Sequence, residues 1–572
     1  MIGAALLAFG LMPLSAQAVP ADGTDFNRAY GQYLVGKYAI YAGDTQVSAR
    51  ALIDSAESDP DNHALQEKAF LSAVLGGYLD FAADHAPQSE SASRFSRMVG
   101  HEVRALRAVR ANKVRDALPE LAAALAIDGE ERSGLLLQPA ALAMAGQWNK
   151  AIDKDMAKKL TGGQTQRDGL MLYLQAADQA RLLELRGKHK DAEALYKLIC
   201  EPGPATVLFG PYYGAFLERR GRKAEAEALY ASILTTSEDA QVRRAYQALE
   251  RSDYQKPDKP SFRQIMAENL FMTGTLYASE QQPEMALATL RMAQYVSPQT
   301  DSLSDDRTRL LLGQVLVKLR DHEAAQAEWA QVAESSVYYD EARLRMAWSF
   351  KEQDNTDGAL ALFAQLSAEN PDDADLVVQR ASLLWEKKDY QAGLEVLEAY
   401  IAGHGEAAVN WQGWFIQAII YNDLERWDQS EAALKKGLAL DEDNPDLLNF
   451  LGYGWIERNQ NLDEALTMVQ RALIRRPDSG AIMDSVGWGY FRKGDYPQAL
   501  EWTEKAIALE PADPEVNEHL GDVYQAMGRH IEARYQWARV LTLDADDTQK
   551  ARAQKKLEAA DAVPSAVTAR AR

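Results

Sequence analysis

Two dipeptides carry side chains suited to metal chemistry. His101-Glu102 and His322-Glu323 open like a zinc-binding helix, in which a second histidine four residues on completes the ligand pair. Ala105 and Gln326 stand at those positions, so neither pair closes, and both are read as surface residues. Gly31 to Tyr38 imitates a phosphate loop. Tyr38, however, occupies the place of the Ser or Thr that would hold magnesium, and the segment reads as helix rather than as the turn after a strand. Gly452-Tyr453-Gly454 and Gly487-Trp488-Gly489 lack the third glycine and the strand of a dinucleotide site, and helix packing explains their glycines better. The histidines are scattered from His63 to His530, His519 among them, without clustering. One cysteine, Cys200, excludes an intrachain disulfide and an all-cysteine metal cluster. The chain is expected to have no catalytic set, no metal and no cofactor.

The elements that would have to position any site come from a chain of 572 residues, long enough for several domains or for one array of small units. With 47% apolar and 26% charged residues it has the material for an extended core. A net charge of −22 repels phosphate backbones and anionic headgroups, which argues against a nucleic-acid partner.

The N-terminus reads as a secretory signal peptide over 1–18. Ile2 to Leu14 is an uncharged apolar run, and Ala16-Gln17-Ala18 is a small-x-small cleavage signal before Val19-Pro20. No basic residue precedes Arg28, so the start is expected to lie inside a longer leader. No later segment approaches the roughly 18 uninterrupted apolar residues of a membrane span. The mature chain is expected to be periplasmic or secreted.

A fixed interval governs the C-terminal part. Ala465, Ala499 and Ala533 are 34 residues apart, and Ala472, Ala506 and Val540 repeat the spacing. Upstream lie Leu451-Gly452 with Trp455, Val486-Gly487 with Tyr490, and Leu520-Gly521 with Tyr524. Each set falls on one face of a helix, and a turn such as Arg492 to Tyr496 separates the two helices of a unit. The small residues sit where the antiparallel helices approach most closely. Pro60, Pro298, Pro371 and Pro511 fall where the second helix stops.

This pattern resembles the tetratricopeptide repeat, a 34-residue helix–turn–helix family. Further copies are recognised at Gly274, Leu290 and Ala293; Gly313 and Trp329; Ala347 and Phe363; Trp414 and Leu434; Ala180 and Tyr196; and Gly214 and Tyr230. A degenerate copy surrounds Gly36, Ser48 and Leu52, and residues 62 to 170 read as helical hairpins out of register. The resemblance implies an all-α, right-handed superhelical solenoid of antiparallel helix pairs. Beyond the leader the expected divisions are 19–200, degenerate hairpins; 201–260, a repeat between proline-rich breaks; 261–545, the regular array; and 546–572, a capping helix and tail. Ala82 to Ser96, Glu201 to Pro211 and Ser252 to Ser261 are expected as loops that divide the solenoid at least once.

The resemblance also implies that the first helices line a concave groove. Along it lie Phe415, Ile419, Tyr453, Ile456, Trp488 and Phe491, with Asn422, Asn449 and Asp484 among them. Aromatic anchors flanked by amide groups suit an extended peptide or a partner helix. For Trp488 and Phe491, groove contact and packing against a neighbouring repeat are both open. Trp411 and Trp427 are equally open, whereas Trp414, Trp455 and Trp537 fall at core positions. Glu515, Glu518 and Asp522 are read as a solvated acidic face rather than a seat for a basic partner.

Leu451 to Leu541 is similar to a group of exported proteobacterial tetratricopeptide proteins. One branch of that group consists of outer-membrane lipoproteins that act as adaptors between a carboxy-terminal processing protease and its cell-wall hydrolase substrates. No cysteine near Ala18 can carry a lipid, which separates this sequence from that branch. The resemblance implies a non-enzymatic envelope adaptor with protein partners. The alternative is a periplasmic scaffold of a polysaccharide or pilus export machine.

Overall fold

The computed structural model describes residues 23–562 apart from 130, 163–168, 201–203, 238 and 299–301. The leader expected at 1–18 and the tail from Val563 lie outside the described residues. The described residues form helices joined by turns and loops, with no strand among them. The chain divides into two compact units, Met1–Leu362 and Phe363–Arg572.

The first unit begins with α1 (Gly23–Ala42), α2 (Thr45–Ser58), α3 (His63–Gly76), α4 (Leu79–Asp84), α5 (Arg94–Arg110), α6 (Val114–Ile127) and α7 (Arg132–Met144). It continues with α8 (Trp148–Ala151), α9 (Met156–Thr161), α10 (Gly169–Leu185), α11 (His189–Ile199), α12 (Pro204–Arg219), α13 (Lys223–Leu234) and α14 (Ala240–Glu250). Then come α15 (Phe262–Ser279), α16 (Pro283–Val296), α17 (Ser302–Lys318), α18 (His322–Trp329), α19 (Tyr339–Glu352) and α20 (Thr356–Glu369), the last of which contains the division. The degenerate N-terminal copy is a full hairpin, α1 on α2, with Leu52 fully buried. The hairpins of 62–170 keep the repeat after all. Asn112 and Gly146 hold the left-handed turn between paired helices, 34 residues apart, as do Gly187 and Gly221 further on. Two expected loops are shorter than the sequence suggests. Ala82 to Asp84 ends α4, and α12 runs from Pro204 with Pro211 inside it. Pro204 opens the helix, where its missing N–H leaves no bond unmade. Residues 254–261 form no helix, as expected of a loop there.

The chain does not march onward after that segment. It folds back, and α15 packs on α7 and α10 while α16 packs on α3, α4 and α5. Both helices are buried on several faces, α15 from Ile265 to Tyr277 and α16 from Ala286 to Val296. A helix that is apolar nearly all round is an interior helix. Polar bonds fix its seat: Arg132 holds Glu280 in a two-pronged bridge at 2.8 and 2.9 Å, and Asn269 donates to the Leu136 carbonyl at 2.9 Å. The Asp321 carboxylate accepts both the backbone N–H and the hydroxyl of Thr45 at 2.7 Å, which ties the turn into α18 to the start of α2.

The second unit stacks α21 (Ala374–Glu386), α22 (Tyr390–His404), α23 (Trp411–Asp423), α24 (Trp427–Leu440), α25 (Pro445–Glu457) and α26 (Leu462–Arg475). Above them stand α27 (Gly480–Arg492), α28 (Tyr496–Leu509), α29 (Pro514–Ala526), α30 (His530–Val540) and the capping helix α31 (Asp547–Ala562). Each first helix starts at a side-chain cap. Asp373, Asn410, Asn444, Ser479 and Asp513 each accept a backbone N–H of the first turn. Trp414, Trp455 and Trp537 are core residues at 3–4% exposure, as their positions require.

The close approach of paired helices is visible at Gly487. A Cβ there would lie 2.7 Å from the Thr503 methyl, 3.1 Å from its backbone nitrogen and 3.2 Å from the Ala499 carbonyl oxygen. Two of these are backbone atoms, so relief requires the helices to separate. Gly487→Ala is expected to cost about 1–3 kcal/mol, read as a lower denaturant midpoint at unchanged slope. Glu425 holds the left-handed turn at φ 59° without being glycine. Glu425→Gly relieves about 1–2 kcal/mol of that strain against a smaller entropic cost, so the same assay should show a higher midpoint.

Candidate functional site: the inner face of the C-terminal unit

The first helices α23, α25, α27 and α29 carry the expected groove residues. Phe415, Ile419, Asn422, Asn449, Tyr453 and Phe491 are half-buried there. Phe415 meets Phe450 of the next repeat edge-on, with ring centres 5.7 Å apart. The Asn422 carbonyl accepts from Arg458 at 3.3 Å. The side-chain oxygen of Asn449 is buried and has no hydrogen-bond partner among the described residues.

Three expected groove residues belong to the core instead. Ile456 is fully buried, and Asp484 and Trp488 are 4% and 7% exposed. For Trp488 the open question resolves toward packing. Its ring stacks between Phe491, at 4.5 Å, and His519, at 4.0 Å, and its indole N–H donates to the Glu457 carboxylate. Asp484 accepts from His519 Nδ1 at 2.7 Å. A position that faces the groove in one repeat is here roofed by α29 of the next. Trp427 is likewise committed: its ring lies against Gly454, where a Cβ would come within 2.0 Å, and Arg458 stacks over it at 3.9 Å. Trp411 packs half-buried beside Phe415.

His519 is the centre of this arrangement, and the sequence reading missed it. It looked like one of several scattered histidines. Its usable signal is its position 35 residues after Asp484, at nearly the same place in the next repeat. Burial alone would lower the imidazole pKa. The Asp484 carboxylate outweighs that, with Glu515 and Glu457 adding to it, and raises the pKa to about 9.

The acidic face is not solvated. Glu518 is 3% exposed and accepts from Arg552 at 2.9 Å and Lys556 at 2.7 Å, and Lys556 also reaches Asp522 at 2.6 Å. Glu515 accepts from the Tyr453 hydroxyl at 2.5 Å. The basic groups that neutralise this wall come from the chain's own capping helix α31.

In the first unit the corresponding face is covered. The first helices α7 and α10 pack on α15, and the first helices α3 and α5, with α4, pack on α16. Of the residues suited to metal chemistry, Glu323 is exposed as expected, whereas His101 and His322 are half-buried and Glu102 is buried. His101 is within 2.6 Å of Glu120, and Glu102 is 1% exposed among Val99, Val103 and Leu106. Burial, with the Glu131 charge, raises the Glu102 pKa well above the usual range. His322 meets the Ser349 hydroxyl at 3.1 Å. Among the described residues no three His, Cys, Asp or Glu side chains are placed to hold a metal, and no helix is long and apolar enough to cross a membrane. Burial pushes the Cys200 thiol up to about 12, so it stays protonated.

Residues 344–410 match the tetratricopeptide repeat family, and residues 489–528 match a TPR repeat of the same kind. A TPR repeat-containing protein of Pseudomonas aeruginosa is 28% identical over 218 residues, covering 38% of this chain and 36% of the relative. The match thus spans about a third of that protein's length. Among solved structures, a tetratricopeptide repeat protein from Parabacteroides merdae aligns with 45% of this chain and 99% of its own, at 13% identity and a TM-score of 0.36. YrrB, described as a TPR protein with an unusual peptide-binding site, aligns with 34% of this chain and 97% of its own, at 19% identity and a TM-score of 0.27.

The His519 environment has a pH signature. A pKa raised from 6.5 to about 9 on folding means stability fully present below pH 6.5 and lost as pH rises through 9. The loss should reach about 3 kcal/mol at most. Melting temperatures between pH 6 and pH 9.5 should therefore fall more steeply for the natural chain than for His519→Gln, and parallel slopes would contradict the assignment.

Proposed function

We propose that this tetratricopeptide repeat protein is a non-enzymatic scaffold of the bacterial envelope. On this reading it holds an extended peptide or a partner helix on the inner face of its C-terminal unit. Stacked repeats of this kind generally serve as protein-interaction surfaces. The observation that carries the reading is a contrast between the two inner faces. In the first unit that face is taken by α15 and α16. In the second, Phe415, Ile419, Asn449, Tyr453 and Phe491 remain half-exposed on three successive first helices. Aromatic and aliphatic side chains set along successive first helices suit an extended peptide or a partner helix.

Envelope location is supported by the apolar run Ile2 to Leu14 and the cleavage signal Ala16-Gln17-Ala18. The similarity of Leu451 to Leu541 to exported adaptors favours a protease or a cell-wall hydrolase as partner, ahead of components of an export machine. Capture from an envelope fraction tests both levels. The double variant Phe415→Ala/Phe491→Ala should retain its helical circular-dichroism spectrum and bind the captured partner about tenfold more weakly or worse. Unchanged capture would refute the inner-face assignment, and recovery of export components alone would favour the scaffold of an export machine.

A further inference from the structure

The first and last described hairpins present opposite kinds of outer surface. The last is closed by α31, whose exposed side chains include Arg552, Gln554, Lys555 and Glu558. A terminal element with a polar outer face is what keeps a stack of repeats in solution. The first hairpin has no such face. α1 packs on α2 along one side, where Gly36 lies against Leu52 and Ala39 is buried. Its opposite side is aromatic and aliphatic too: Tyr30 is 46% exposed, Leu34 48%, Tyr38 73% and Tyr41 90%. A helix with apolar residues on both sides is built to be covered on both.

The spacing of the four side chains selects what covers them. At 3.6 residues per turn they fall within about 80° of one another, a single stripe along the outside of α1. Read in either direction the stripe is nearly the same. Positions 30 and 41, and positions 34 and 38, are centred on almost the same point, beside Gly36. That is the symmetry an isologous contact requires, in which residue i meets j and j meets i. Two such helices laid antiparallel bring Tyr30 against Tyr41 of a second copy, and Leu34 against Tyr38, at both ends of the contact. Charge permits the approach. No Asp or Glu occurs between Tyr30 and Tyr41, and Lys37 lies over the Tyr33 ring of its own helix at 5.9 Å. A chain of net charge −22 therefore meets itself here with little local repulsion, whereas an anionic lipid surface repels the chain as a whole.

The area is sufficient. Aromatic side chains bury about 150–250 Å² each, so the exposed parts of the three tyrosines come to about 300–500 Å² per copy. Val35 and Ile40 flank the stripe and, like Leu34, are nearly half exposed. With these added, two copies together reach the roughly 1,000 Å² at which specific interfaces begin. Tyrosine suits such a contact because its ring supplies area while its hydroxyl stays wet at the rim, so the single chain remains soluble when the contact opens.

We propose that the outer face of α1 is the contact between two copies of this chain, packed antiparallel about a two-fold axis beside Gly36. The association is independent of what the C-terminal inner face binds. Sedimentation velocity of the chain from Val19, the form that cleavage after Ala18 produces, should show a dimer that dissociates on dilution, with a Kd below about 100 µM. Tyr38→Glu/Tyr41→Glu alters two side chains that lie largely in water. It should leave the circular-dichroism spectrum unchanged and weaken association about tenfold or more. Oxidation of a mixture of Tyr30→Cys and Tyr41→Cys chains should yield the mixed disulfide in excess of either homodimer, with the natural chain as the background for Cys200. In the antiparallel register like positions are offset by about 15 Å or more along the helix, too far to bridge. A chain that stays monomeric at about 100 µM, a dimer that the double variant retains, or cross-linking of Tyr30→Cys chains chiefly with themselves would overturn the proposal. So would a monomer that floats with phosphatidylcholine vesicles and loses that binding in the double variant, which would assign the face to a lipid surface.

Discussion

Every hairpin in this molecule depends on two helices lying closer than ordinary side chains permit. At the crossing point the first helix offers a hydrogen or a methyl, and the second presses backbone or a ring against it. Gly214 against Tyr230 and Gly313 against Trp329 are the sharpest instances. Once that distance is fixed, the chain must reverse within a few residues, and a left-handed residue accomplishes the reversal, joined by a second, Asn461 after Asn459, between α25 and α26. The repeat length follows from these two requirements, and so does the stacking of hairpins into faces.

The same hairpin is used in two ways. In the first unit the first helices turn toward a hairpin supplied by the chain itself, so α15 and α16 become core and the inner face closes on them. The buried bridge from Arg291 to Glu328 and the more exposed one from Arg132 to Glu280 secure that seat. In the second unit successive first helices face outward from the stack with aromatic and amide side chains only half covered. The ionic cluster around His519 stiffens one end of that face, and α31 neutralises its acidic wall.

The C-terminal repeats were legible because glycine, alanine and tryptophan recur there at constant intervals, and each has one steric job. Residues 62–170 were harder to read because their turns are marked by conformation rather than by residue type. Asn112 adopts the left-handed form that Gly146 adopts one repeat later, and elsewhere Arg320, Asp354 and Lys388 do the same without being glycine. The interior role of α15 and α16 was written in their composition, since Ile265, Met266, Leu270 and Phe271 point several ways round one helix. Read as one copy among many, that signal is easily passed over. Of the expected groove, Phe415, Ile419, Asn449, Tyr453 and Phe491 lie where periodicity put them. Ile456, Asp484 and Trp488 do not, because periodicity within one helix says nothing about the neighbours that cover it. The Asp484–His519 pair is a contact between repeats, visible only when adjacent copies are compared position by position.

The division of labour between the two units requires that α15 and α16 fill the inner face of the first unit as its own core. Hydrogen exchange followed by mass spectrometry on the free chain measures this directly. Amides of 262–296 should be the slowest to exchange among residues 23–362, slower than those of the peripheral α1 and α2. Exchange of 262–296 at the rate of that peripheral hairpin would mean that the inner face is open, and the division of labour between the two units would be contradicted.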